Sequence, residues 1–276
     1  MSEREYRETN RRHWDEAVPI HVASSFYNVD EFRAHPDRLK PLELAEVGDV
    51  AGKSLLHLQC HFGMDTISWA RRGAIVTGVD FSENAISQAR RLAEETGTTA
   101  RFLRSDLYDL PSVLHEQFDV VFTSYGVLCW LPDIPRWAHT AAGFVKPGGT
   151  FYIAEFHPFA TVFDDRPDDL HVRYPYFPAS APLRDDEDGT YAEPGAHLVH
   201  RTTYQFPFTL GDVVTSLIQA GLQIEFLHEF PFSVAQFLPF TRQVTPHEVR
   251  LVTHDGSVPL MFSIRATRPV PNPGNT

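Results

Sequence analysis

The stretch LLHLQCHFGMDTISWARRGA, residues 55–74, decides the fold, because two kinds of local pattern meet in it. The run SLLHL at 54–58 predicts a buried strand, and the residues after Gly63 predict a helix. The turn between them carries Gln59 and His61, where a turn that cradles a ligand ordinarily has small residues. The question is therefore whether a nucleotide-like ligand can bind here.

Further short runs rich in β-branched and aromatic residues follow this stretch. Residues 82–97 lie between two of these runs and repeat alanine, isoleucine and leucine at helical spacing. Ser82 is placed to cap this helix and Gly97 to end it. Strands that alternate with helices predict right-handed βαβ units and a mostly parallel sheet covered on both faces. The fold class is therefore α/β with a doubly wound sheet, and its predicted further strands are AIVTGVD at 74–80, RFLRSD at 101–106, FDVVFTS at 118–124 and TFYIAE at 150–155.

In the second half of the chain, residues 164–203 show no sustained periodicity, and predicted regular structure resumes after them. Thr209 and Asp212 form a capping-box pattern that starts a helix ending at Gly221. Strands are predicted at 223–229 and 260–268, with an aromatic loop between them. The predicted division of the chain is an N-terminal helical extension at 1–50, a core at 51–163 and 204–268, an insertion of loops that could include short strands at 164–203, and a tail at 269–276.

Composition narrows the classes of partner. The 276 residues carry 24 Lys and Arg against 36 Asp and Glu, a net charge of −12, which argues against a nucleic-acid backbone as ligand. The basic positions on helix exteriors are interpreted as solvated surface; they are Arg71, Arg72, Arg90 and Arg91. No apolar run is long enough to span a membrane, and the first twenty residues lack the apolar core of a secretory signal, so we expect a cytoplasmic protein. Cys60 and Cys129 are expected to be buried free thiols.

In an open parallel sheet, ligands bind beyond the carboxyl ends of the strands, so the residues that follow each strand are the candidates. Asp80 ends the second strand, about twenty residues past the first turn, where a carboxylate can accept hydrogen bonds from a ribose diol. The alternative is a surface acid that stabilises a helix N-terminus. Asp106 ends the third strand, where a second acid could bind an adenine amino group.

These segments together resemble the class I S-adenosylmethionine-dependent methyltransferases. The resemblance rests on LLHLQCHFG, VTGVDFSENAI, RSDLYDLP, FDVVFTSYGVLCWLPD and FVKPGGTFYIAEFHP, covering about residues 50–160, and more loosely 205–268. It implies a Rossmann-like sheet of seven strands with an antiparallel last strand, S-adenosyl-L-methionine as the cofactor, and methyl transfer to an oxygen or nitrogen of a small molecule. The cofactor-binding residues would be Gln59, Cys60, His61, Gly63, Asp65, Asp80, Phe81, Ser82, Asp106, Leu107, Ser124 and Tyr125.

The first turn departs from the family pattern of one acid and three glycines. His57 stands in place of the acid, Gln59 and His61 in place of glycines, and only Gly63 remains. Because a Cβ disfavours positive φ, we expect the turn to be built differently from a glycine turn. The HLQCHFG pattern is similar to that of a bacterial subgroup of the family.

A metal site at the first turn is the alternative for His57, Cys60 and His61, because imidazole and thiolate are zinc ligands. On a helix, the two histidines would share a face, but Leu58 stands where a metalloprotease motif has glutamate. On a strand, Cys60 would point away from His57. We therefore expect no metal here and interpret His57 as a buried, hydrogen-bonded histidine.

Methyl transfer depends mainly on alignment of the acceptor, the methyl group and the sulfur. A general base adds to the rate when the acceptor is a hydroxyl. The candidates are His157 after the fifth strand, Tyr125 after the fourth, and His21 from the N-terminal segment, each with a packing or surface role as the alternative. The resemblance implies that the N-terminal segment folds over the cofactor as part of a lid, with Trp14 and Tyr27 in it; these two residues and His157 are expected to contact the acceptor. Aromatic rings also suit a sulfonium. For Trp14, packing onto the core is the alternative.

Two other functions remain open from the sequence. Asp80 would serve a nicotinamide dehydrogenase equally well, although the chain lacks the G-x-G-x-x-G fingerprint and has a Pro-Gly-Gly turn before the fifth strand. A binding module that keeps the cofactor without catalysis is the second alternative. The sequence does not identify the methyl acceptor.

Overall fold

The computed structural model describes residues 1–163, 170–186 and 188–271, so parts of the predicted insertion and tail lie outside the described residues. The helices are α1 (Glu3–Ala23), α2 (Val29–Ala34), α3 (Pro41–Val47), α4 (Met64–Arg71), α5 (Glu83–Glu95), α6 (Ile134–Phe144) and α7 (Leu210–Gln219). The strands are β1 (Ser54–Leu58), β2 (Ile75–Asp80), β3 (Arg101–Arg104), β4 (Phe118–Ser124), β5 (Val145–Phe156), β6 (Leu183–Asp185), β7 (Thr203–Gln205), β8 (Gln223–Phe230), β9 (Thr241–Thr245), β10 (Glu248–Leu251) and β11 (Met261–Thr267).

The central sheet has seven strands in the order β3-β2-β1-β4-β5-β11-β8. Neighbouring strands from β3 to β5 are parallel, and β11 is antiparallel to both β5 and β8. The predicted doubly wound, mostly parallel sheet of seven strands is confirmed. The direction of winding reverses between β1 and β4, which places the ligand crevice beyond the ends of these two strands.

Apolar side chains on both faces of the sheet explain why its strands read as almost continuous hydrophobic runs. On β1, Leu56 packs in a core with Trp137 of α6, whereas Leu55 packs in a core with Trp69 of α4. A third core joins α4 and α5 around Phe102 of β3. Each face of the sheet is therefore closed by helices, as alternation of strands and helices predicts.

The predicted helix caps are present. Ser82 precedes α5, and its Oγ accepts the backbone N–H of Ala85 at 3.0 Å. Thr209 and Asp212 form the expected capping box at α7. These contacts satisfy amide groups that have no partner within the helix, and they fix where each helix leaves the edge of the sheet.

Two strands differ from the sequence prediction by more than one residue at an end. β3 ends at Arg104, so Asp106 lies in the following loop, and β5 begins at Val145 because the Lys-Pro-Gly-Gly segment is already extended. The aromatic loop before β11 contains the hairpin of β9 and β10. β9 is polar and mostly exposed, so it lacks the apolar alternation that reveals a strand. The insertion contains the short strand β6, which pairs with β7 at the insertion's end.

The helix α1 lies across the carboxyl edge of the sheet. Asn10 exchanges two hydrogen bonds of 2.8 Å with the backbone of Tyr204 in β7. Asp15 accepts the Ser82 hydroxyl at 2.6 Å and the backbone N–H of Asn84 at 3.0 Å. The N-terminal segment is thus fastened both to the start of α5 and to β7, next to the insertion. None of the helices in the described ranges is long and apolar enough to cross a membrane.

Candidate active site

A cavity of about 1180 Å³ opens at the carboxyl edge of the sheet, under α1. Residues that follow β1, β2, β3 and β4 form one end of it, and the insertion and the β9–β10 hairpin form the other. It gathers every predicted cofactor-binding residue, together with Trp14 and Tyr27: Gln59, Cys60, His61, Gly63, Asp65, Asp80, Phe81, Ser82, Asp106, Leu107, Ser124 and Tyr125. The parallel strands explain this convergence, since their carboxyl ends meet at one edge.

The first turn keeps a left-handed backbone despite its missing glycines. The φ angles of Gln59, His61 and Gly63 are 55°, 50° and 79°. The expectation that side chains at 59 and 61 would change the turn is therefore wrong. Each non-glycine residue in this region costs about 1–2 kcal/mol, and such strain persists only where surrounding contacts hold it.

Contacts from three elements hold the strained turn. The backbone N–H of His61 donates to Oδ2 of Asp80 at 2.9 Å, and Nε2 of Gln59 donates to the carbonyl of Val127 at 3.2 Å. The His61 ring stacks on Tyr27, with ring centroids 5.5 Å apart and planes 10° apart. The turn thus depends on β2, on the loop after β4 and on the N-terminal segment.

Gln59 presents a polar atom for which the described residues supply no partner. Its Oε1 is buried and accepts no hydrogen bond, while its Nε2 is engaged with Val127. Gln59 also lines the cavity. A ligand with an N–H donor would remove the cost of this unsatisfied acceptor, which ordinarily amounts to about 1–3 kcal/mol.

Asp80 lies at the end of β2 and is only 8% exposed. Its Oδ1 accepts the backbone N–H of Ser82 at 2.9 Å, and its Oδ2 accepts that of His61. Burial raises the pKa of its carboxyl to about 6, although the two hydrogen bonds act in the opposite direction. Each oxygen keeps acceptor capacity towards the cavity, which is what two ribose hydroxyls would require.

Asp106, in the loop after β3, is fastened to α1. Its Oδ2 lies 2.6 Å from Nη1 of Arg7, and its Oδ1 accepts the backbone N–H of Tyr108 at 2.9 Å. Sequence reasoning missed Arg7, whose position in a helical pattern carries no sign of its partner. Leu107, next to Asp106, is buried and supplies an apolar part of the same wall.

Aromatic side chains from the N-terminal segment and the insertion cover the first turn. Trp14 makes edge contacts with the rings of His61 and Trp130, at 6.2 Å and 5.1 Å between centroids. The hydroxyl groups of Tyr27 and Tyr191 form a short hydrogen bond. Tyr191 was missed by the sequence because the insertion has no periodicity that would place it.

The structure does not bring His21 to the cavity wall. It is 0% exposed, and its Nδ1 lies 3.3 Å from Nε2 of His61. Burial lowers its pKa to about 4, so it is neutral at pH 7. Its ring is enclosed by those of Trp14, Tyr27 and Tyr191. The expectation that His21 acts as a base is therefore unsupported by its position, and it instead stabilises the aromatic cover.

His157 also lies outside the cavity, contrary to expectation. Its backbone N–H still pairs with Leu260, so the sheet continues past the predicted end of the fifth strand. The ring receives the N–H of Phe159 at Nδ1, at 3.1 Å, and its Nε2 lies 2.9 Å from Oε1 of Glu229. Both ring nitrogens are thus engaged, Nδ1 by the loop after β5 and Nε2 by β8, which fits the alternative structural role and not contact with an acceptor.

Tyr125 does line the cavity. It follows β4 with a φ of 40°, and its hydroxyl donates a short hydrogen bond to Oε2 of Glu43 on α3. Glu43 is 0% exposed, and burial raises its pKa to about 7. Sequence reasoning missed Glu43; a glutamate at the third position of a helix is ordinarily a capping residue, and Glu43 is one as well.

Glu155 of β5 shapes the loop that contains Tyr125. Its carboxylate accepts the backbone N–H groups of Gly126, Val127 and Leu128, the last two at 2.8 Å and 3.1 Å. It is almost fully buried. The only sign of this role in the sequence is an acidic residue inside an otherwise apolar strand.

His57 is a buried, hydrogen-bonded histidine, as expected. Its Nδ1 lies 2.8 Å from Oγ1 of Thr66, and burial lowers its pKa to about 3. Cys60 is buried, and burial raises the pKa of its thiol. Within residues 1–163, 170–186 and 188–271, no three His, Cys, Asp or Glu side chains are grouped so that they could hold a metal ion.

The far end of the cavity is mostly apolar. Phe156 and Phe237 lie in ring contact there, with centroids 4.6 Å apart. Further apolar residues that line it include Leu131, Phe163, Phe206, Phe208, Val234, Leu238 and Val249, and charged residues there include Arg173, Arg184 and Asp185. Such a chamber suits a flat or hydrocarbon-rich molecule.

Comparisons with known proteins point to one kind of domain. A family model described as a methyltransferase domain matches residues 55–149. A ubiquinone biosynthesis O-methyltransferase of Klebsiella pneumoniae is 31% identical over 137 residues, which are 48% of this chain and 56% of that protein. The chain therefore spans little more than half the length of the curated relatives that it matches.

Two solved structures share the fold. An S-adenosylmethionine-dependent methyltransferase from Mesorhizobium loti has a TM-score of 0.54 and 21% identity, covering 83% of this chain and 96% of that chain. The DhpI–SAH complex has a TM-score of 0.56 and 16% identity, covering 98% and 100%. At these identities the likeness establishes the architecture.

Proposed function

We propose that this chain is an S-adenosylmethionine-dependent methyltransferase that acts on an oxygen or nitrogen of a small molecule. The observation that carries the proposal is the cavity at the reversal of strand order, which joins the cofactor-binding positions to an apolar chamber. The matched methyltransferase domain and the relative's name support the same chemistry.

The residues at the first end of the cavity fit this cofactor. Asp80 would accept the ribose hydroxyls, and Asp106 the adenine amino group. Gln59 supplies a buried acceptor that the described residues leave unused, which suits the ammonium group of the methionine part. Cations line the same region at Arg38 and Lys40, where a carboxylate could bind.

Bound S-adenosylmethionine would supply an activated methyl group, so the protein mainly has to orient two molecules and exclude water. The aromatic cover of Trp14, Tyr27 and Tyr191 keeps water from the first turn. Alignment of the acceptor in the apolar chamber could contribute about 7–11 kcal/mol to lowering the barrier. Among the oxygen and nitrogen alternatives, the O-methyltransferase name of the relative favours oxygen.

The chain's other properties are consistent with a small molecule as the partner. The net charge of −12 disfavours nucleic acid, and a cytoplasmic location remains a prediction from the sequence. The nicotinamide enzyme is the less favoured alternative because the strand-to-helix turn lacks the glycines that admit a pyrophosphate.

Titration calorimetry with S-adenosylhomocysteine and with NAD tests the proposal. We expect micromolar binding of the first and none of the second. Incubation with methyl-labelled S-adenosylmethionine and a panel of phenols, amines and carboxylic acids should transfer label to one class. Binding of NAD alone would contradict the proposal, and cofactor binding without any labelled product would favour a silent binding module.

A further inference from the structure

Glu43 and Tyr125 form a carboxylate–phenol pair at the wall of the cavity. The Tyr125 hydroxyl donates to Oε2 of Glu43, while Oε1 accepts the backbone N–H of Lys40 at 2.7 Å. Tyr125 lines the cavity, whereas Glu43 has no exposed surface and lies behind it. Tyr125 therefore joins the cavity wall to this carboxylate.

Among the described residues, Glu43 is not held in a structural ion pair, although the charge of Lys40 acts on it from beyond ion-pair distance. No Lys, Arg or His side chain of the described chain forms an ion pair with it, and Asp65 of α4 faces it with a charge of the same sign. A buried carboxyl in such surroundings is costly to keep ionised. Groups with these features are typical of functional sites.

We infer that Tyr125 and Glu43 form a proton relay that activates a phenolic hydroxyl as the methyl acceptor; the inference rests on the proposed function. The acceptor O–H gives its proton to Oη of Tyr125 while Tyr125 gives its own to Oε2 of Glu43. The acceptor oxygen forms a bond to the methyl carbon, and the carbon–sulfur bond breaks with its electron pair on sulfur. The proton held by Glu43 then passes to water.

The wall beside Tyr125 indicates why the acceptor is an aromatic alcohol. Phe156, Val234 and Phe237 line the cavity there, and the first two pack in the same apolar cluster as Tyr125. These side chains favour a flat ring. A phenol has an ordinary pKa of about 10, close enough to that of a weakly basic carboxylate for assisted transfer, whereas an aliphatic alcohol is far less acidic.

The groups around the pair set the pH at which it works. Lys40 and Asp65 face Glu43, and Tyr125 faces Asp65 and Tyr152 of β5 as well. Burial, followed by the charge of Asp65, raises the pKa of Glu43 to about 7. The relay needs the ionised carboxylate, so the rate should rise with pH through this value.

The test compares Tyr125→Phe and Glu43→Gln with a matched control, Tyr152→Phe. Tyr152 also donates to a glutamate, Oε2 of Glu46 at 2.8 Å, but it does not line the cavity. The measured quantities are the affinity for S-adenosylhomocysteine and the single-turnover methylation of 4-methylphenol and 4-nitrophenol from pH 5.5 to 9. The nitrophenol ionises near neutral pH without help from a base.

Both relay variants should bind S-adenosylhomocysteine within about threefold of the unaltered protein and methylate 4-methylphenol about 10²-fold more slowly. The double variant should be no slower than either single one, and 4-nitrophenol should lose less than about tenfold. The rise near pH 7 should vanish in Glu43→Gln. Tyr152→Phe should retain both the rate and the pH profile.

Equal rates in the relay variants and Tyr152→Phe would overturn the relay. Failure of the unaltered protein to methylate any phenol while it binds S-adenosylhomocysteine would overturn the phenolic acceptor. Failure to bind S-adenosylhomocysteine contradicts the proposed function instead. If Glu43→Gln does not fold, Tyr125→Phe alone decides, because it keeps the ring and removes only the hydroxyl.

Discussion

Arg7 of α1 and Asp106 of the loop after β3 form an ion pair, with Nη1 2.6 Å from Oδ2. The two side chains are only 17% and 22% exposed. The pair joins the helix above the cavity to the carboxylate that we expect to bind the adenine amino group. Cofactor affinity should therefore depend on a residue of α1 that is remote in sequence.

Arg7→Ala should weaken binding of S-adenosylhomocysteine by about fivefold, which corresponds to about 1 kcal/mol, because α1 loses an attachment beside the adenine position. Calorimetry measures it. The control is Arg12→Ala, since within the described ranges Arg12 pairs only with Glu8 on the same helix and is 57% exposed. An identical dissociation constant in the two variants would show that this end of α1 does not help to hold the cofactor.

Asp80 should make cofactor affinity depend on pH. Because burial raises its pKa to about 6, the carboxylate is ionised above that pH and gains a proton below it. Binding of S-adenosylhomocysteine should be strongest near pH 8 and weaken as the pH falls through 6. Asp80→Asn should bind at least about tenfold more weakly at pH 8, with no such dependence. A parallel fall in both proteins would assign the pH effect to another group.

Gly63→Ala should destabilise the fold by about 2–4 kcal/mol. A Cβ at this position would lie 2.6 Å from the Phe102 ring, and the residue has a φ of 79°, so overpacking and backbone strain combine. Denaturant titration gives the free energy of unfolding. Gly97→Ala separates the two costs, because Gly97 has a φ of 60° with open space around it. If both variants lose the same stability, the contact with Phe102 is unimportant.

The buried histidines should make the protein sensitive to acid. Burial lowers the pKa of His21 to about 4 and that of His57 to about 3, so the unfolded chain binds these protons more readily than the native state. Their contribution to stability is present above the ordinary value near 6.5 and is lost as the pH falls from there towards 4. For His21 alone, the loss by pH 4 is on the order of 3 kcal/mol.

Denaturant titrations at pH 7.5, 5.5 and 4.5 measure that loss. His57→Gln keeps a polar side chain beside Thr66 but removes the titration, so its stability should fall less steeply with acid. His35→Gln is a suitable control, because His35, which follows α2, is exposed. Equal slopes in all three proteins would show that burial of His57 does not contribute to the acid sensitivity.

The sequence predicted the end of the cavity at which parallel strands meet. Asp80, Asp106 and the first turn converge there because of chain direction alone, which short apolar runs reveal. The direction of individual side chains was harder to infer. His157 follows β5 as expected, but continued pairing with Leu260 carries its ring to the side of β8, and no local pattern marks that continuation.

Partners that are remote in sequence were missed for a different reason. Glu43 meets Tyr125 across 82 positions, and Asn10 meets Tyr204 across 194. Helical spacing predicts Glu43 at a capping position but does not predict that a phenol lies beside it. The strained backbone at Gln59 and His61 was likewise unexpected, since it is held by contacts from other elements and not by local preference.

The position of α1 has a consequence for the order in which ligands are bound. Arg7 and Asp15 contact the loops that follow β3 and β2, and Asn10 contacts β7, next to Gln205 at the acceptor end of the cavity. One helix thus contacts elements at both ends of the cavity. A ligand that steadies α1 from either end lowers the ordering cost for the other, so cofactor and acceptor should bind with positive cooperativity of equal size in both directions.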